Sequence, residues 1–218
     1  MPTGTFSPGT GATFPVDGRV AREVAINETF TTIRTSAGDA AATGDIAQAC
    51  QIICSATTDQ FAGLERSIFV FDTTTIPQGN VISAGTIQFY VTGTASALAG
   101  SASIVTAAPA NTNNLVAGDY NIANWTMTKQ ATDIAIGTIG TGAYLPFVLN
   151  ATGRLTVKVA GTTIFGLTTN FDADNSAPVW SSGAQTRLDM NFADGVNDPQ
   201  LIVTYAPGGR SGLQTKYW

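Results

Sequence analysis

The stretch "ERSIFVFDTTTIPQGNVISAGTIQFYV" (residues 65–91) decides the fold class. Its first half is an apolar run, Ile68 to Phe71, between Arg66 and Asp72, followed by three threonines and Ile76-Pro77. Its second half alternates, with Ile87, Phe89 and Val91 on one face and Gln88 and Tyr90 on the other. Alternation with a period of two marks a strand with one buried face, whereas an unbroken apolar run bounded by turn residues marks a strand covered on both sides. The turn signal Pro77-Gln78-Gly79 separates the two. A charge at each end of an apolar strand is uncommon where charged residues make up 11% of the chain. Arg66 and Asp72 are expected to mark the two rims of strand 67–71. Six positions apart, about 20 Å along a strand, they cannot pair. Each is expected to bond loop backbone at its own rim, with Asp72 accepting N–H groups from the Thr73–Thr75 turn.

The same pattern extends outward. "RLTVKVAG" (154–161) is read as a strand with Leu155, Val157 and Val159 inward. "RLDMNFAD" (187–194) alternates Leu188, Met190 and Phe192 against polar neighbours, and "LIVTYA" (201–206) does so with Leu201, Val203 and Tyr205. "TIFGL" (163–167) is a second run expected to be covered on both sides. One stretch, "NLVAGDYNIANW" (114–125), suits a short covering helix using Leu115, Val116, Tyr120 and Trp125. Many strands, recurrent glycine turns and few helices predict an all-β, antiparallel β-sandwich. The sandwich is assigned to residues 16–206, between an extended Gly/Thr/Pro-rich arm (1–15) and a C-terminal tail (207–218). Tyr217 and Trp218 at the end of that tail are expected to dock, either on their own domain or on a neighbouring subunit in an assembly.

Composition narrows function. The chain of 218 residues has a net charge of −5 and ten basic residues scattered singly, so it lacks the electrostatic footprint of a nucleic-acid binder. It has no histidine, which removes Ser-His-Asp and Cys-His constellations and His-ligated zinc. Cys50 and Cys54, four apart on a strand, lie about 13 Å from each other, too far for a disulfide, and are read as buried free thiols. The N-terminus lacks the basic and apolar regions of a signal peptide, and no window is long and apolar enough for a transmembrane helix. A protein working outside a cell would then leave by another route, such as release of virions by lysis.

The order of segments resembles jelly-roll modules of the DNRLRE and disaggregatase-related, carbohydrate-binding-like type. The matching pieces are "VDGRVARE…NETFTTIRTSAG" (16–38), residues 65–91, "VAGDYNIANW" (116–125), residues 145–183 and "DPQLIVTY" (198–205). An Arg before an apolar strand, then Asp-Thr and Ile-Pro, is the specific element. Such modules occur in prokaryotic surface proteins and in virion proteins of tailed phages and uncultured viruses. The resemblance implies a jelly roll. A start at Met1 without a leader is more like the viral members. The expectation is a non-enzymatic virion-surface protein, a capsid decoration or accessory subunit assembling with itself and its neighbours. The alternatives are a carbohydrate-binding adhesion module for host-surface glycans and a prokaryotic surface-filament subunit.

Two groups of residues are candidates for a site. "NFDADN" sets Asn170, Asp172, Asp174 and Asn175 close together, oxygen ligands suited to a structural Ca²⁺, although the glycine and distal glutamate of an EF-hand loop are missing. Asp194, Asn197 and Asp198 form a second acidic group that reads as a turn. Sugar binding would need exposed aromatics beside polar side chains, for which Trp180 is the first candidate, with Asn175 and Trp125 nearby in type. Nothing places two carboxylates across a cleft as glycoside hydrolysis requires, so no enzymatic activity is expected.

Overall fold

The computed structural model describes residues 1–9, 15–23, 27–43, 48–193 and 196–208. Tyr217, Trp218 and Asp194 lie outside the described residues. In chain order the strands begin with β1 (Thr3–Phe6), β2 (Asp17–Arg22), β3 (Ala40–Thr43), β4 (Gln48–Cys54), β5 (Phe61–Asp72) and β6 (Asn80–Ser96). They continue with β7 (Ser101–Ala107), β8 (Trp125–Thr126), β9 (Ile134–Ala135), β10 (Tyr144–Val148), β11 (Thr162–Thr169), β12 (Gln185–Met190) and β13 (Gln200–Pro207). Three short helices, α1 (Phe30–Thr35), α2 (Ala151–Thr156) and α3 (Asn170–Ala173), interrupt them. All pairings of these strands are antiparallel, as expected for an all-β chain.

One sheet runs β1–β13–β6–β10. Past Val91 the long strand β6 leaves it and pairs with β12, which pairs in turn with β4. The second sheet is organised by β5. Its residues Phe61–Glu65 pair with β4, Ser67–Asp72 with β11, and Leu64–Phe69 with β2. Because β2 overlaps both of the others, it occupies one edge of β5, and β4 and β11 lie end to end along the opposite edge. The edge forks at Arg66, where the Ser67 hydroxyl donates to the carbonyl of Ala49 as β4 departs.

β5 is buried on both faces, as the apolar run predicts. Phe69 and Phe71 face a cluster held between the two sheets, in which the Phe69 ring lies 4.6 Å from that of Phe89 and 5.8 Å from that of Phe192. Leu64, Ile68 and Val70 face a second cluster on the outer side of the same sheet, covered by Phe30 and Ile33 of α1 and by Leu115, Tyr120 and Trp125. Gly166 of β11 lets that cover approach, because a Cβ there would strike the Trp125 ring. The molecule therefore has three layers: sheet, sheet and an irregular cap.

Ile87, Phe89, Val91, Leu188, Met190, Leu201 and Val203 are all fully buried, as alternation predicts. Three expectations differ from the structure. Residues 154–161 do not form a strand. Asn150 caps α2 by accepting from the Gly153 N–H at 2.9 Å, and this local cap overrides the β-like spacing. Leu155 consequently stands 83% exposed, while Val157 is buried. The 114–125 segment is not one helix but two 3₁₀ turns, Ala117–Tyr120 and Ile122–Asn124, with Val116 exposed. Thr3–Phe6, within the expected arm, pairs along β13 and sets Phe6 against the first cluster. Cys50 and Cys54 are both buried free thiols, Cys50 in the first cluster and Cys54 in the second.

Truncating Phe69→Ala is expected to cost about 3–5 kcal/mol in urea unfolding, and Leu155→Ala less than about 0.5 kcal/mol. A large loss at Leu155 would restore the strand expected for 154–161.

Candidate functional site

The densest polar arrangement surrounds Arg66. β5 begins five residues before Arg66, so this side chain is central to the strand and fully buried rather than at a rim. Its Nε donates to Asp172 Oδ2 at 2.7 Å and its Nη2 to Asp172 Oδ1 at 2.8 Å, a two-pronged pair. Nη2 also donates to the carbonyl of Arg34 at 3.0 Å, and Nη1 to the carbonyl of Tyr120. The guanidinium carbon stands 4.3 Å from the Tyr120 ring centroid and 5.5 Å from that of Trp125. The Tyr120 hydroxyl donates to the Ile33 carbonyl, and the Trp125 indole N–H to the Asp119 carbonyl at 2.9 Å. The carbonyls of Ile33 and Arg34 belong to the last turn of α1, where no intrahelical donor remains. One arginine thus ties β5, α1, α3 and the 117–120 turn together.

Asp172 sits at the centre of this network. Thr168 donates to its Oδ2 at 2.7 Å, and Arg34 Nε lies 3.1 Å from its Oδ1. Burial opposes its ionisation, but the charge and hydrogen bonds of Arg66, with Thr168 and Arg34, outweigh that and hold the carboxyl below its ordinary range. For Arg66, burial opposes the charge and Asp172 more than restores it. Asp72, the other flanking charge, does what its position predicts, accepting from the Thr74 N–H at 3.0 Å and hydroxyl at 2.6 Å.

The four expected calcium ligands go to separate partners. Asn170 Oδ1 accepts from the Ser101 N–H at 2.7 Å, Asp172 faces two arginines, and Asp174 pairs with Lys129 at 2.7 Å. Asn175 is exposed, with a left-handed φ of 52° that ends the α3 turn. Among the described residues no group of three His, Cys, Asp or Glu is placed to hold a metal. Of the two tryptophans considered for sugar binding, Trp125 is 7% exposed, with both its ring and its N–H engaged inside the fold. Trp180 is half-buried against the second cluster, its indole nitrogen enclosed without an acceptor among the described residues.

An open cleft of ≈ 410 Å³ lies between β7, α2 and β11, lined chiefly by Thr106, Thr152, Leu155, Thr156, Lys158 and Thr162. Lys158 is its one ionisable lining group, so it holds no acid–base pair. No helix among the described residues is long and apolar enough to cross a membrane. No family model matches the chain, and no curated protein matches it. Its chemistry must be argued from its own residues.

One polar group had no signal in the sequence. Arg187, Gln51 and Glu65 stand in register across β12, β4 and β5, joined by Asp189 one step along and by Arg19, whose Nη1 is 3.2 Å from Glu65 Oε1. Alternation along each strand shows single polar residues, and their alignment depends on the pairing. Burial raises the Glu65 carboxyl; Arg19 opposes this, Asp189 adds to it and Arg187 opposes it. Burial likewise raises Asp189. An acid raised in the folded state loses stability as pH climbs from its unfolded value through its folded one, and the penalty then persists. Glu65→Gln is therefore expected to raise the thermal midpoint at pH 7 and leave it unchanged near pH 3.5. A lower midpoint at pH 7 would show that the Arg19 contact dominates instead.

Proposed function

We propose that this chain is a non-enzymatic structural subunit of a virion surface, of the capsid-decoration or accessory kind, acting through contacts with its own copies and neighbouring subunits. The observation that carries the proposal is where the ionisable groups lie. Arg66, Asp172, Arg34, Arg22, Glu28 and Glu65 are engaged in pairs within the fold, and the cleft beside α2 has no carboxylate. On this reading the paired charges fasten layers of the fold. The weakly charged, threonine-rich composition and the resemblance to virion jelly-roll modules supply the setting. Many weak contacts on a lattice become strong together. The proposal needs no cofactor, no nucleic acid and no membrane insertion.

The second reading, a module that binds host-surface glycans, rests on Trp180 together with exposed Asn175, because Trp125 offers no free ring face.

Light scattering on the full chain tests the first reading. The expected outcome is a mass that grows with concentration and is the same in EDTA. A monomer at every concentration would contradict it, and glycan retention abolished by Trp180→Ala would favour the second. A midpoint lowered by several degrees in EDTA would return calcium to the 170–175 loop.

A further inference from the structure

The formal charges of the strands are sorted by sheet. β2, β5 and β12 carry Asp17, Arg19, Arg22, Glu65, Arg66, Asp72, Arg187 and Asp189. β1, β6, β10 and β13, the four strands of the other sheet, carry no Asp, Glu, Lys or Arg. The inner side of that sheet is core, so the absence there is ordinary. Its outer side is open, and the strands present no charge there, which is unusual for an exposed sheet face; Asp198 adjoins it beside Tyr144. Register places Val148, Thr86, Ile202 and Thr5 in one row across all four strands. Val148 is 70% exposed, Thr5 is exposed, and Thr86 and Ile202 are half-exposed.

From this we infer that the outer face of the β1–β13–β6–β10 sheet docks on the same face of a second copy of the chain. The inference deepens the assembly reading and rests on it. Three observations favour a second copy over other occupants. First, a chain of net charge −5 repels its own copies, least where it presents no charge, and a two-fold contact sets a patch against itself. Second, several polar side chains of the face already have partners. Gln88 Nε2 donates to Gln200 Oε1 at 2.8 Å, the Thr3 and Thr204 hydroxyls are 3.3 Å apart, and the Tyr144 hydroxyl donates to the Asp198 carbonyl at 3.1 Å. Covering the face therefore leaves fewer polar groups to satisfy. Third, edge-to-edge pairing is blunted. β1 and β10 are short, at four and five residues, and β10 contains Pro146, which has no N–H. Face-to-face packing of twisted sheets remains.

Size sets the strength. With β13 paired to β6 along Gln200–Pro207 across one bulge, and only four residues of β1 and five of β10 beside them, strands about 4.8 Å apart make a face of roughly 400 Å² per copy. The total of about 800 Å² is below the range of stable pairs, so the contact is weak alone and effective in an array.

Sedimentation velocity on the full chain tests the inference. Thr86→Glu and Thr86→Lys place like charges against each other across a two-fold contact, and Ser182→Glu serves as a control at an exposed position on another element. Circular dichroism checks that each variant folds. Self-association is expected to weaken at least tenfold in each Thr86 variant, to persist in Ser182→Glu, and to return when the Glu and Lys variants are mixed one to one. Wild-type association that both Thr86 variants retain would overturn the docking face and leave the assembly reading standing. A wild-type chain that stays monomeric would overturn both. Hydroxyethyl cellulose binding by a monomeric chain, lost in Thr86→Glu, would reassign the face to a neutral glycan.

Discussion

A guanidinium with no access to water has to be neutralised and fully hydrogen-bonded, and the rest of this structure is arranged so that Arg66 is both. Its charge meets Asp172, and its remaining donors meet carbonyls of Arg34 and Tyr120. None of these partners is local in sequence: Asp172 is 106 positions away and Tyr120 is 54. Satisfying Arg66 therefore brings α1, α3 and the 117–120 turn onto the outer face of β5 at one point. The apolar part of the second cluster then closes around it, with Tyr120 and Trp125 stacked over the cation. Such a pair adds less net stability than apolar packing of the same volume would, but it fixes where the cap sits. An apolar cluster alone would tolerate the cap in several registers.

Two apolar clusters on opposite faces of one strand give the chain its division of labour. The first joins sheet to sheet and needs only alternation to form. The second joins sheet to cap, and there the charged residues are concentrated. The four strands of the sheet on the far side carry no charged residue, and two pairs of their polar side chains bond each other.

What was legible in the sequence was local. The inward sets Ile87/Phe89/Val91, Leu188/Met190/Phe192 and Leu201/Val203 were readable because period two is a property of each strand alone. The bond from Asp72 to Thr74 was readable because it spans two residues. Arg66 departs from the rim expected of a charged residue because the acid that makes its burial tolerable belongs to a distant loop. The same distance hides the two arginines that face Asp172, so the sequence shows that carboxylate only as an oxygen ligand. Leu155 departs from the expected strand because three apolar residues at alternate positions fit a strand as well as a capped turn, and the deciding Asn150 precedes them. Trp180 ranks ahead of Trp125 in the sequence, but what encloses Trp125, the carbonyl of Asp119 and the absence of Cβ at Gly166, has no local signal.

The central claim is that the Arg66–Asp172 pair fastens the cap, and urea unfolding of three chains tests it most directly. Asp172→Ala leaves a buried guanidinium uncompensated and is expected to cost about 3–5 kcal/mol, whereas the Arg66→Met/Asp172→Leu double variant recovers most of that. A single Asp172→Ala variant within about 0.5 kcal/mol of wild type would contradict the account, because it would mean that the cap is held without the pair.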